Sequence, residues 1–172
     1  MVRILIILVA AFSVACAPEL ETEGGTSAAV ELQSGEAIVD ATSEDDWVGF
    51  DLDSGEQSED GWDIGFQRFR VRLNPDTSVE AGIYPGEDFD PEFFMWLVDD
   101  YSDPEDPFYV FQDENEGWFD YNLMGHIVTP KERDYVVNSD EGRVFKIRIL
   151  SYYDEAGTSA IIQFSFEEIE TT

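Results

Sequence analysis

Residues 134–168 read DYVVNSDEGRVFKIRILSYYDEAGTSAIIQFSFEE, and the fold class follows from them. Phe145, Ile147 and Ile149 take every second position, with Lys146 and Arg148 between them. That period of two belongs to a strand with one buried and one solvated face. After a Glu155-Ala156-Gly157 turn, Ile162, Phe164 and Phe166 repeat the pattern on the way back. Upstream, DYVVN at 134–138 is separated from 143–153 by Ser139-Asp140-Glu141-Gly142, a second group of turn formers. Three runs joined by two short turns predict an antiparallel meander.

Nearer the N-terminus, two more strands are predicted at 46–52 (DWVGFDL) and 62–73 (WDIGFQRFRVRL), joined by Asp53-Ser54-Gly55 and an acidic turn. Phe69, Val71 and Leu73 alternate with Arg68, Arg70 and Arg72, which predicts a buried face backed by a row of guanidinium groups. Ile64 and Phe66 share the parity of the arginines, so the run requires a bulge near Gly65 or burial on both faces at that end. Between the two β blocks, residues 73–130 hold no Lys or Arg, but 15 of the 39 acids and 12 of the 24 aromatics. Asp90 and Pro91 are suited to the N-cap and first position of a short helix over the apolar run Phe93–Val98. The remainder reads as long loops. The expected fold is mainly β: a single antiparallel domain over residues 30–172, with acidic and aromatic loops and at most one or two short helices.

Thirty-nine Asp and Glu against nine Lys and Arg give a formal charge of −30. Such a chain repels phosphate, which argues against nucleic-acid binding and against charge-driven docking on an anionic bilayer. Intrinsic disorder is excluded as well, because 43% hydrophobic and 14% aromatic residues supply the apolar surface that disordered chains lack. All basic residues after Arg3 lie at 68–72, 131–133 and 143–148, within or beside the expected strands, whereas the acids crowd the loops. That distribution describes a solvated surface suited to high salt rather than one anionic site.

Arg3 followed by the apolar run Ile4–Phe12 is too short to span a bilayer and predicts a signal peptide over residues 1–15. Ser13-Val14-Ala15-Cys16 resembles the lipobox of bacterial lipoproteins, with Ser13 where Leu is usual; the resemblance implies a diacylated Cys16 as the new N-terminus. Residues 17–29 (APELETEGGTSAA) then read as a flexible tether. Cys16 is the sole cysteine, so disulfides, cysteine-based zinc sites and cysteine nucleophiles are excluded from the fold.

Five stretches together resemble the HmuY family of bacterial haem-binding and HmuY-like lipoproteins: WVGFDLDSG (47–55), WDIGFQRFRVR (62–72), WFDY (118–121), HIVTPKERDYVV (126–137) and GRVFKIRILSYYDEAG (142–157). The resemblance implies a lipid-anchored β domain at the outer membrane or cell surface, holding one haem between loops for iron acquisition, with an outer-membrane haem receptor as a further partner. Family members donate two axial side chains, histidines in some and methionines in others. Here His126 is the only histidine, which excludes a bis-histidine site in the monomer, and Met95 on a separate segment is the candidate second ligand. Met124 is too near His126 to reach the other face of a porphyrin, but is a candidate for lining the pocket. Tyr84, Phe93, Trp96, Tyr109, Trp118 and Tyr121, with Tyr101 and Phe108, are candidates for stacking on a flat ligand. Lys131 and Arg133 are the candidate propionate partners.

Other readings of the same residues remain. A lone histidine near a turn also serves as a surface hydrogen-bonding residue, and a methionine among aromatics as core filler. The acid runs Asp51-Leu52-Asp53-Ser54-Gly55-Glu56 and Asp99-Asp100 with Asp103, Glu105 and Asp106 offer hard oxygen donors for calcium, although neither completes an EF-hand loop. The chain would then be a surface interaction or structural lipoprotein on the same scaffold, with calcium as a candidate stabilising ion. No nucleophile elbow accompanies His126, and no carboxylate pair stands out among so many acids, so an enzyme is not expected.

Overall fold

A computed structural model of the chain describes residues 32–171, apart from 104, 106 and 114–116. The expected signal peptide, Cys16 and the tether lie outside the described residues. Eleven strands are described: β1 (Ser34–Asp40), β2 (Val48–Asp51), β3 (Glu56–Ser58), β4 (Ile64–Gln67), β5 (Arg70–Leu73), β6 (Glu80–Ile83), β7 (Phe119–Asn122), β8 (Ile127–Pro130), β9 (Tyr135–Asn138), β10 (Val144–Tyr153) and β11 (Ser159–Glu168). They form a five-stranded sheet in the order β1-β11-β10-β9-β6, a four-stranded sheet in the order β3-β2-β4-β5, and the hairpin β7-β8. Every pairing is antiparallel.

The predicted meander is β9-β10-β11. Phe145, Ile147 and Ile149 are buried on β10, and Ile162, Phe164 and Phe166 on β11. The register shifts between Ile149 and Ser151, so the alternation slips by one residue and Tyr152, in place of Ser151, takes the inward side further along the strand. Aromatic rings then join the two larger sheets: Phe50 of β2 meets Phe164 at 5.0 Å edge-on, and Phe66 of β4 stacks on the same ring at 5.1 Å.

Two expectations are corrected. The run 62–73 is a hairpin rather than one strand, with Gln67 paired to Arg70 across Arg68-Phe69. Phe69 therefore sits in the turn, 42% exposed, and not on a buried face. Arg68 has φ of 54°, the positive value that the first residue of a primed hairpin turn adopts. No bulge is needed at Gly65, because all four residues of β4 are buried and both faces are covered. Secondly, residues 93–98 are not helical. Asp90 accepts the Phe93 N–H at its carbonyl (3.2 Å) and the Glu92 N–H at Oδ1 (3.0 Å), closing a single turn. The chain then extends, and Leu97 exchanges two 2.8 Å backbone hydrogen bonds with Ala81 of β6, whose outer edge is otherwise open. A sheet edge offering backbone partners outweighed the capping signal. The single helical element among the described residues is a 3₁₀ turn, Val110–Gln112.

The turn after β2, the start of β4 and the β9–β10 turn converge on one corner. Asp63 is fully buried there, and burial pushes its carboxyl up to about 7.

Candidate functional site

The β7–β8 hairpin carries His126. Asn122 pairs with Ile127, leaving Leu123-Met124-Gly125-His126 as a four-residue loop. Asn122 Oδ1 accepts the N–H groups of Met124 (2.9 Å) and Gly125 (3.0 Å), the local bonding that makes Asn a turn former. His126 closes the loop at φ of 51°, a left-handed conformation that most L-residues avoid. Its ring is fixed by a 2.7 Å hydrogen bond between Nδ1 and the Tyr121 hydroxyl, five residues earlier across the hairpin.

His126 and Tyr121 line a cleft of about 540 Å³ beneath the hairpin. Val128 and Phe119 form its hairpin wall, Arg68 and Phe69 of the β4–β5 turn another, and Tyr152, Tyr153 and Ser159 from the ends of β10 and β11 its floor. The walls are held by specific contacts. Tyr153 Oη accepts the Val128 N–H at 3.1 Å, tying the hairpin to β10. The Phe69 carbonyl accepts hydrogen bonds from Trp118 Nε1 and Gln112 Nε2, both at 3.1 Å, which fixes the β4–β5 turn. The Phe69 and Phe119 rings meet edge-on at 5.8 Å. Arg68 donates to the Thr42 carbonyl at 3.2 Å. Burial raises the Tyr152 hydroxyl above its ordinary value, so it stays neutral.

The candidate residues fall into separate groups. Met124 stands at the hairpin tip, 95% exposed, with Leu123 at 77% beside it. Met95, 79% exposed, lies on the segment that bridges to β6 and is not among the residues lining the cleft. Trp96 and Tyr84 belong to an aromatic cluster at that edge, where Trp96 meets Phe94 at 4.8 Å and Tyr84 meets Phe89 at 5.6 Å; Phe93 is 85% exposed nearby in the chain. Tyr109 packs between Trp47 and Tyr101. Trp118 is buried beside Phe119 and Tyr152. Lys131 is 3.5 Å from Asp120 on the opposite strand of the hairpin, and Arg133 is half-buried after the hairpin, its N–H donating to the Lys131 carbonyl.

The cleft residues that sequence reasoning missed are Arg68, Phe69, Phe119, Val128, Tyr152, Tyr153 and Ser159. Arg68 and Phe69 were legible only as members of a strand, and the turn that aims them at the cleft contains no Gly, Pro, Asn or Asp. Among the lining residues Arg68 is the one cation.

Several solved structures share this fold. The apo HmuY analogue of Tannerella forsythia aligns with a TM-score of 0.60 at 16% identity, covering 82% of this chain and 98% of that one. A Bacteroides vulgatus protein described as HmuY-like and haem-binding gives 0.59 at 18% identity, with 77% and 90% covered. A Bacteroides fragilis protein described as a lipoprotein gives 0.56 at 21% identity, with 77% and 88% covered. No family model and no curated protein matches the chain.

Proposed function

We propose that this chain, which has the HmuY-like fold, is an exported lipoprotein of the HmuY-like family that captures haem, or a flat apolar ligand of similar outline, in the cleft beside His126. The observation that carries the reading is the placement of the only histidine: it lines the largely apolar cleft and has one ring nitrogen already engaged. In the tautomer that donates from Nδ1 to Tyr121 Oη, Nε2 keeps its lone pair for a metal, the arrangement in which an outer hydrogen bond orients a ligand. A volume of about 540 Å³ falls within the range of small-molecule pockets, roughly 300–1,000 Å³. Phe69, Phe119 and Tyr153 offer ring surface to a flat ligand, and Arg68 offers a charge to a carboxylate. Bound haem would supply an iron as electron-pair acceptor, and His126 would hold it through its ring nitrogen. Residues 1–15 act as a signal peptide, Cys16 carries the lipid, and the tether holds the domain at the outer membrane or cell surface, from which haem passes to a membrane receptor.

A haemin titration of the purified protein tests the reading. The expected result is a Soret band that saturates at one haem per chain and whose affinity falls about tenfold or more in His126→Ala. The lining offers one imidazole and no thioether, so Met95→Ala is expected to leave the spectrum unchanged; loss of a low-spin spectrum in that variant would instead assign Met95 to the iron. A band no stronger than that of an unrelated acidic protein overturns haem capture. In that event the apolar hairpin tip of Leu123, Met124 and Ile127 favours a surface interaction module instead. Attachment is checked separately: Cys16→Ser is expected to move the protein from the membrane fraction to the soluble one.

A further inference from the structure

Asp51 at the end of β2, Asp53 in the turn after it and Asp63 before β4 each bring a carboxylate oxygen to one corner, and the three oxygens lie within 4.8 Å of one another. Asp63 is fixed by two backbone donors: the Leu52 N–H at Oδ2 (2.8 Å) and the Asp140 N–H at Oδ1 (3.0 Å). Asp53 Oδ1 accepts from Ser139 Oγ (3.1 Å) and Arg143 Nη1 (3.3 Å). Asp53 Oδ2, in contrast, is buried with no hydrogen-bond partner, in a side chain that is only 6% exposed. A carboxylate oxygen withdrawn from water and left without a donor is costly, and in a native fold it requires an explanation.

Arg143 does not provide one. Its Nε and Nη2 are engaged by Glu168 at 2.9 and 2.5 Å, and its Nη1 is shared between the Asp53 carbonyl and Oδ1. One guanidinium thus serves two carboxylates, while Asp51 and Asp63 gain no cation from it. Asp140 and Glu141, on the adjoining turn, add further negative charge.

We propose that this corner binds a calcium ion, with Asp51, Asp53 and Asp63 as protein ligands and the orphaned oxygen of Asp53 satisfied by the metal. The spacing fits. Calcium–oxygen distances of about 2.3–2.6 Å place any two ligands of one ion within roughly 5 Å of each other. The donors are hard oxygens without nitrogen or sulfur, which favours calcium over transition metals. Waters complete the shell on the half-buried Asp51 side, which calcium tolerates and magnesium, with its stricter octahedron, accepts less readily. The ion would join β2 and β4 of one sheet to the β9–β10 turn of the other, so its effect is on stability. The site does not depend on the haem reading, and its test involves no haem.

The experiment uses the whole purified chain, stripped of metal and held at constant ionic strength with KCl. Calorimetric titration with CaCl₂ is expected to show one saturable site, and the melting temperature is expected to rise with CaCl₂ and fall with chelator. Asp53→Asn should weaken binding about tenfold or more. Asp51→Asn should do the same while keeping the side-chain oxygen that accepts the Asp53 and Ser54 N–H groups, so it decides the matter if Asp53→Asn fails to fold. The double variant Asp100→Asn/Asp103→Asn, in an exposed acidic loop, should bind as wild type. No saturable heat, unchanged affinity in Asp51→Asn, or an equal response to MgCl₂ overturns the proposal.

Discussion

His126 holds a left-handed backbone conformation in an exposed hairpin loop, where Gly or Asn would sit without strain. Strain of this kind costs on the order of 1 kcal/mol or more and persists where surrounding structure or function requires the side chain. His126→Asn is therefore expected to stay within about 1 kcal/mol of wild type in urea unfolding and yet to lose haemin affinity. A stability loss matching the affinity loss would mean that the imidazole only maintains the hairpin. Asp99 shows the opposite situation: a charge hidden inside. Its Oδ2 accepts the Leu73 N–H (2.7 Å) and the Tyr101 hydroxyl (3.1 Å), and its Oδ1 accepts the Val110 N–H (2.8 Å). Burial still outweighs these bonds and raises its carboxyl above the ordinary range. The folded state then keeps this proton to higher pH than the unfolded chain, so stability declines as pH rises from about 4 through the raised value. Asp99→Asn should flatten part of that slope, and should cost about 1–3 kcal/mol because its amide nitrogen would face a backbone N–H; a denaturant midpoint measured across pH 4–8 checks both. From the sequence, Asp99 could be read only as one member of an acidic run with Asp100. Which of two adjacent acids turns inward depends on the Asp100–Phe108 bridge, a contact that residue types do not encode.

At the scale of elements, the legible parts were those whose partners lie next to them in the chain. The β9-β10-β11 meander follows from alternation and turn residues, and its buried positions are the alternating ones. The β4–β5 hairpin was hidden because Arg68-Phe69 carries no turn signal and β4 is covered on both faces, which removes the alternation. What covers one of those faces is Trp62, whose ring lies against the cross-strand pair Gly49 and Gly65. A Cβ on Gly49 would meet the Trp62 ring at 2.4 Å and the Ser58 carbonyl oxygen at 2.6 Å, and the second of these is backbone that cannot swing away. Arg72 lies over the Trp47 ring at 4.1 Å and the Trp62 ring at 5.2 Å, so the expected row of free guanidinium groups is at this position a stacked one. Gly49→Ala should accordingly destabilise by about 2–3 kcal/mol through overpacking. Gly61→Ala, where an added Cβ meets nothing, serves as the comparison, its cost confined to a φ of 66°. Equal losses in the two variants would show that backbone conformation, and not the Trp62 cover, sets the penalty.

At the scale of the molecule, Lys131, Arg143, Lys146 and Arg148 are committed to carboxylates before a ligand arrives. Lys146 pairs with Glu167 at 2.6 Å, Arg148 with Asp134 at 2.5 Å, Arg143 with Glu168 and Asp53, and Lys131 with Asp120. Among the described residues most acids stand on exposed loops and turns, and the cleft opens into that surface with Arg68 as the one cation in its lining. On the proposed reading, the two carboxylates of haem would be opposed by the summed field, and the attraction of the apolar cleft for its ring would have to outweigh it. Binding that relies on attraction between opposite charges weakens with salt; here the long-range term has the other sign. Screening shortens from a Debye length of about 10 Å at 0.1 M salt to about 3 Å at 1 M, which suppresses the distant acids while the contact with Arg68 inside the cleft is screened less. Haemin association measured by stopped flow should thus become faster, and affinity higher, as KCl rises through this range. Arg68→Glu should lower affinity and steepen that dependence, whereas Lys146→Glu, at a residue outside the cleft lining, should move it little. An association rate that falls with salt would show that Arg68 and its neighbours, and not the net charge, govern the encounter.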